Sequence, residues 1–174
     1  MHDTVDQIRE QWADVRPELD STPMGVIGRM SRASSLLDKS IRENFAGFDL
    51  LPGEFDVLAT LRRSGSPYKL TPGVIGELTM VTSGAITNRI DRMVDKGLVK
   101  RELDPDNRRI IVVVLTRRGR ELINEVIDSH VAHEIKLMES LSDGEQKQLA
   151  ELLRKLLVGL GDIPQGDEKE PAED

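Results

Sequence analysis

Apolar residues recur along this chain at helical spacing in seven stretches and at strand spacing in one pair. Val5, Ile8, Trp12 and Val15 mark one stripe of a short helix that Pro17 stops. Ile27, Met30, Leu37, Ile41 and Phe45 predict a longer helix over 24–45. Pro52 opens a third, with Phe55, Leu58 and Leu61 inward. After the SGSPYKL loop, Thr71 caps a short helix whose first position is Pro72. Thr82 or Ser83 caps the next helix, and Gly97 ends it. The period then changes: LVKREL and IIVVVL read as two strands joined by the turn-forming DPDNRR. Thr116 starts a helix to about Leu141, and the capping box Ser142/Glu145 starts another that ends at Gly161. The fold class expected is mainly α with a β-hairpin wing. Residues 52–115 read as a winged helix-turn-helix.

Composition narrows the chemistry. The 174 residues suit one domain or one protomer of an oligomer. Without cysteine, the chain has no disulfide, thiol nucleophile or Cys-bearing metal site. No apolar run is long enough for a membrane span, and no signal peptide is expected in the acidic first ten residues, so a cytoplasmic protein is expected. No Gly-rich phosphate loop, G-x-S-x-G or H-E-x-x-H occurs. His130, His133 and Glu134 share helical spacing but lack an evident third ligand. An enzyme is not expected, nor a cofactor or metal.

The net charge of −7 argues against nucleic acid, but its distribution does not. Residues 81–120 hold ten Lys and Arg against five Asp and Glu, while both flanks are acidic. That is the footprint of a local nucleic-acid surface, or of chance clustering on a solvated face. The helix after Ser83 favours the first. At about 100° per residue, Ile86, Ile90 and Met93 face inward, while Gly84, Thr87 and Asn88 face out near the end that would enter a major groove. Arg89 falls beside the buried edge, suited to a switch role or to a structural ion pair. Arg108 and Arg109 sit at the hairpin tip, where an arginine can enter a narrow minor groove. With Thr71, Thr82, Ser83 and Arg92 these form the candidate DNA-binding set. Asp56 lies opposite the apolar face of its helix and reads, by periodicity alone, as a solvated carboxylate. Trp12 is the sole tryptophan and lies on an apolar stripe, a place for packing, ligand stacking or both.

The string LTMVTSGAITNRIDRMVDKGLVKRELDPDNRRIIVVVLTRRGRELI resembles the MarR family of bacterial winged-helix regulators. The S-G-A-x-T-N-R-I-D-R-M helix, the K-G-L-V turn, the D-P-D-x-R wing tip and the L-T-x-x-G exit come in the family's order, within a likeness over roughly 24–160. The resemblance implies a homodimer on palindromic double-stranded DNA, usually a repressor eased off by small ligands. It implies five regions: an added N-terminal helix (1–20), a dimerisation helix (21–51), the winged helix (52–115), C-terminal dimerisation helices (116–161) and a disordered acidic tail (162–174). It implies that Asp106 holds Arg108 in the wing. The N-terminal helix with D-Q-I-R-E-Q-W is similar to that of a urate-responsive subgroup. That likeness implies a site for a small anionic metabolite formed by Trp12, Asp56, Arg89 and Arg101. Two rivals stay open: a regulator without a ligand, and a winged helix used for protein contacts.

Overall fold

A computed structural model describes residues 2–79 and 86–163. Its elements are α1 (Thr4–Val15), α2 (Thr22–Ala46), α3 (Pro52–Arg63), β1 (Lys69–Leu70), α4 (Pro72–Leu78), α5 (Ile86–Asp95), β2 (Val99–Leu103), β3 (Ile111–Leu115), α6 (Arg117–Leu137) and α7 (Asp143–Gly159). The chain forms two compact units, one within Met1–His133 and one within Glu134–Asp174. Among the described residues, no helix is long and apolar enough to cross a membrane. The expectations for the 164–174 tail lie outside the described residues.

In the first unit, α1 starts at a capping box. Asp3 accepts hydrogen bonds from the Val5 and Asp6 amides, and Asp6 accepts from the Asp3 amide. The same two carboxylates pair with Arg29 of α2, at 2.8 and 2.5 Å, so the cap also docks the helix. Of the predicted stripe, Val5 is buried, whereas Ile8, Trp12 and Val15 stay exposed. α2 likewise buries its C-terminal end at Phe45 and leaves Val26, Ile27 and Leu36 in the open.

The core lies where α3, α4, α5 and α6 meet the sheet. Leu58, Leu61, Ile75, Ile90, Met93, Val113 and Ile123 are fully enclosed there. The inward face read from periodicity on α5 is the buried face, since Ile86, Ile90 and Met93 are all buried. The sheet has the order β1-β3-β2, both pairs antiparallel. In the hairpin, Arg101 stands opposite Val113 and Leu103 opposite Ile111. β1, in a stretch read as loop, is a finding of the structure: Lys69 pairs with Val114 and Leu70 with Val113. Two residues beside a Gly/Ser/Pro run carry no strand period to detect.

Two joints fix the hairpin to the helices. Gly97, at φ +70°, reverses the chain after α5, and the Leu98 amide donates back to Met93. Thr116 then caps α6 by accepting from the Gly119 amide at 3.0 Å while its hydroxyl donates to Leu98. Gly119 is in contact with the Leu98 carbonyl, and any Cβ there would collide with that oxygen. The predicted end of α6 at Leu141 falls at Leu137 instead, followed by a turn.

In the second unit, Ser142 and Glu145 form the predicted capping box of α7. Gln146 closes the preceding turn by donating to the Met138 and Leu141 carbonyls. No residue of α7 is buried, and Leu149, Leu152, Leu153 and Leu157 remain open.

Gly119→Ala tests the hairpin joint. It should lower the urea midpoint by the equivalent of about 1–3 kcal/mol, the ordinary cost of overpacking, with the denaturant slope unchanged.

Candidate nucleic-acid interface and anion site

The outward face of α5 is set from below by one carboxylate. Glu54 enters the first turn of α3 next to Pro52 and is 0% exposed. It accepts from the Leu51 amide (3.0 Å), Lys96 Nζ (3.1 Å) and Arg92 Nε (3.2 Å). Burial pushes its pKa up, but the Leu51 amide and the two cations outweigh that, and the net value lies below the ordinary 4.5. Arg92 and Lys96 stand four residues apart on one face of the chain, so both reach the same carboxyl group. Arg92 therefore spends its Nε on α3, although its side chain is 49% exposed and the rest of the fork faces solvent. Sequence reasoning passed over Glu54. The signal was a Glu at the third helical position beside Pro52.

With the helix seated this way, Thr87 and Asn88 are exposed on its outer side, as the helical wheel requires. Thr71 caps α4 by accepting from the Val74 amide at 3.3 Å. Thr82, Ser83 and Gly84 lie outside the described residues. Arg108 and Arg109 are exposed at the wing tip. Asp106 was expected to support Arg108, but the carboxylate that closes this turn belongs to Asp104. It accepts from the Asp106 and Asn107 amides at 2.9 and 3.2 Å.

Asp56 and Arg89 come together on the other flank of α5. Arg89 packs its guanidinium over Gly53, where any Cβ would collide with it. Its Nη1 is buried and, among the described residues, has no hydrogen-bond partner. Asp56 corrects the periodicity reading, because it is half-buried rather than solvated. Burial raises its pKa against the opposing fields of Arg89, Arg63 and His130. His130 was read only as a surface histidine. It stands 5.0 Å from both the Phe45 and Phe55 rings, which themselves stack at 4.3 Å.

The other two members of the expected anion site are elsewhere in the protomer. Arg101 pairs with Asp91 of α5 at 2.6 Å. Asp91 follows Arg89 by two residues, so it projects about 200° around the helix. Arg101 therefore braces the opposite flank from the Asp56–Arg89 pair. Trp12 is 38% exposed on α1, with no hydrogen bond or ring contact to Asp56 or Arg89 among the described residues. Among those residues no group of three His, Cys, Asp or Glu is arranged to hold a metal.

A model of the MarR family matches residues 48–110. The transcriptional regulator PecS of Dickeya dadantii is 38% identical over 152 residues, covering 87% of this chain and 92% of that protein. MhqR of Bacillus subtilis, also a transcriptional regulator, is 30% identical, covering 75% and 87%. Among solved structures, a cysteine-to-serine variant of MarR from Escherichia coli complexed with operator DNA superposes with a TM-score of 0.66. It is 25% identical and covers 84% of this chain and 97% of that one.

The Glu54 network has a pH signature. Because the folded pKa is depressed, its contribution is complete above about pH 4.5 and is lost as pH falls through the lower folded value. Glu54→Gln should cost about 1.5–3 kcal/mol at neutral pH, as for hydrogen bonds to charged groups. The gap to wild type should close in acid, as followed by thermal midpoint against pH. A gap independent of pH would mean the carboxylate is not the anchor.

Proposed function

This chain belongs to the MarR family of DNA-binding transcriptional regulators, and we propose that it is a cytoplasmic homodimeric repressor of a palindromic operator, released by a small anionic metabolite such as urate or a polycarboxylate. The observation that carries the ligand reading is the buried, unpartnered Nη1 of Arg89 beside the half-buried Asp56. A guanidinium is a planar fork suited to carboxylate or urate oxygens. One left partly unsatisfied under α5 is a place where an anion gains a hydrogen bond. Asp56 sets the specificity of the response. An incoming anion competes with it for Arg89 and is repelled by it, so ligand and carboxylate cannot both be held as tightly.

Arg89 belongs to the helix that presents Thr87 and Asn88, so an anion drawn to it re-aims the DNA-reading surface. Arg101 links that helix to the wing through Asp91, which carries the displacement onward. Trp12 supplies a stacking face on α1. Coupling of this kind is typically about 1–3 kcal/mol, or roughly 5–150-fold in operator affinity.

The dimer follows from uncovered apolar surface. Ile8 and Val15 on α1, Val26, Ile27 and Leu36 on α2, and the Leu face of α7 are more than one protomer can bury. A two-fold pair covers them and sets two recognition helices about one DNA turn apart on a palindrome. Sedimentation at micromolar concentration should give a dimer, and a monomer there would remove this basis for a two-fold site.

The ligand test is operator release titrated with urate, other purines, citrate and aconitate. Arg89→Ala and Asp56→Ala should blunt release by whichever compound acts on wild type, and Trp12→Phe should weaken it less. Gly53→Ala, which displaces the Arg89 guanidinium, should also change the response. If every variant responds as wild type does, the site is elsewhere. If nothing releases the operator, the residues are structural and the ligand-free reading takes over. Failure to bind any operator with a steep salt dependence would leave the winged helix to protein contacts.

A further inference from the structure

The wing tip carries two exposed arginines on a turn whose shape comes from one side chain. Residues 101–110 are all exposed except Asp104, which is part-buried. Its Oδ1 accepts from the Asp106 and Asn107 amides, and its own amide donates to the Ile110 carbonyl at 2.9 Å, closing the neck of the hairpin. Asn107 repeats the device one step on. Its Oδ1 accepts from the Arg109 amide at 3.1 Å, and its carbonyl accepts from the Ile110 amide at 2.9 Å. Two consecutive side-chain turns of this kind leave Arg108 and Arg109 little freedom of direction. The other oxygen, Oδ2, pairs with Lys69 Nζ at 3.6 Å. Lys69 lies in β1, on the far side of β3 from β2, and two residues before the Thr71 cap of α4.

From this geometry we infer that Asp104 is a positioning residue for DNA binding: it fixes the wing tip to the helix-turn-helix so that Arg108 is held at a set distance from α5. The inference rests on the proposed contact between Arg108 and DNA. Its mechanism is that two arginines on a floppy tip would lose orientational freedom on binding, and Asp104 removes that loss in advance.

Charge and position predict opposite signs here. Asp104 is negative and lies beside a polyanion. If it acted by charge alone, removing it would tighten binding. If it positions the wing, removing it weakens binding although the protein becomes more positive. Three substitutions separate the cases. Asp104→Ala loses both the turn and the charge. Asp104→Glu keeps the charge on a side chain too long to close the same turn. Asp104→Asn keeps the acceptor and loses the charge.

Operator affinity is measured from 50 to 300 mM salt, about the range in which phosphate contacts dominate. Asp104→Ala and Asp104→Glu should each weaken binding on the order of 10-fold, about what one lost Arg contact costs. Both should flatten the salt slope by about two per dimer, one phosphate-region cation per subunit. Asp104→Asn should bind nearly as wild type does. Arg108→Ala should give the same loss, and Asp104→Ala added to it should cost nothing further, because the contact it positions is already gone. Unchanged or tighter binding by both Ala and Glu variants, with Arg108→Ala still weakened, overturns the inference alone. Normal binding by Arg108→Ala overturns the wing contact and the inference with it.

Discussion

A carboxylate taken wholly out of water has to be neutralised where it sits, and in this chain that requirement orients the DNA-reading helix. Glu54 carries an unscreened charge at the start of α3, and the effective cost of burying one ion is several kcal/mol. The Leu51 amide, Arg92 and Lys96 meet that cost together. Because two of the three donors lie on the C-terminal part of α5 and the turn after it, the helix cannot rotate or slide there without leaving the charge stranded. Lys96 extends the grip by pairing with Asp49 at 3.5 Å, so the turn between α2 and α3 is held as well.

From this anchor a line of contacts runs to the wing. Asp91, one residue before Arg92, holds Arg101 at the base of β2. Beyond Gly97, Leu98 is held from both sides: its amide bonds back to Met93 and its carbonyl accepts from Thr116, the cap of α6. β1 adds the last link, since Lys69 reaches from the entry of the helix-turn-helix to Asp104 in the wing turn. Most of these groups are part-exposed, so each pair alone is worth little. Their arrangement matters more than their sum, because they constrain different ends of the same rigid hairpin.

Much of this was legible from the residues, and the exceptions share a physical cause. Helical period located all seven helices and placed Ile86, Ile90 and Met93 inward and Thr87 and Asn88 outward. It also put Arg89 on the margin of the buried face, where the structure has it. Period reports which way a residue points on its own element. It does not report what stands in front of it. Asp56 points away from the core of its own helix yet is half-covered, since Arg89 and His130 come from elements distant in sequence. Arg101 has the residue type expected for an anion site, but Asp91 takes it first. Asp104 and Asp106 are equivalent in composition, and only backbone geometry distinguishes the one that closes the turn. β1 is too short for any period, and its strand character comes entirely from the partner it borders.

The two flanks of α5 are therefore unequal in a way that suits a regulated reader of DNA. On the Glu54 side every charge has its partner, and displacement is penalised by a stranded ion. On the Arg89 side the balance is incomplete. Asp56 is close enough to Arg89 for its field to matter, but burial disfavours the ionised carboxylate, and one guanidinium nitrogen lacks a bond. A helix fixed at one end and under-satisfied at the other has a natural pivot. A small interaction gained at Arg89 tilts the exposed Thr87 and Asn88 without breaking the buried network around Glu54. On the proposed reading this asymmetry lets a ligand change DNA affinity without unfolding the domain that carries it. The free energy needed is that of completing one charged hydrogen-bond set, about 1.5–3 kcal/mol, which matches the scale of coupling that regulated binding proteins display.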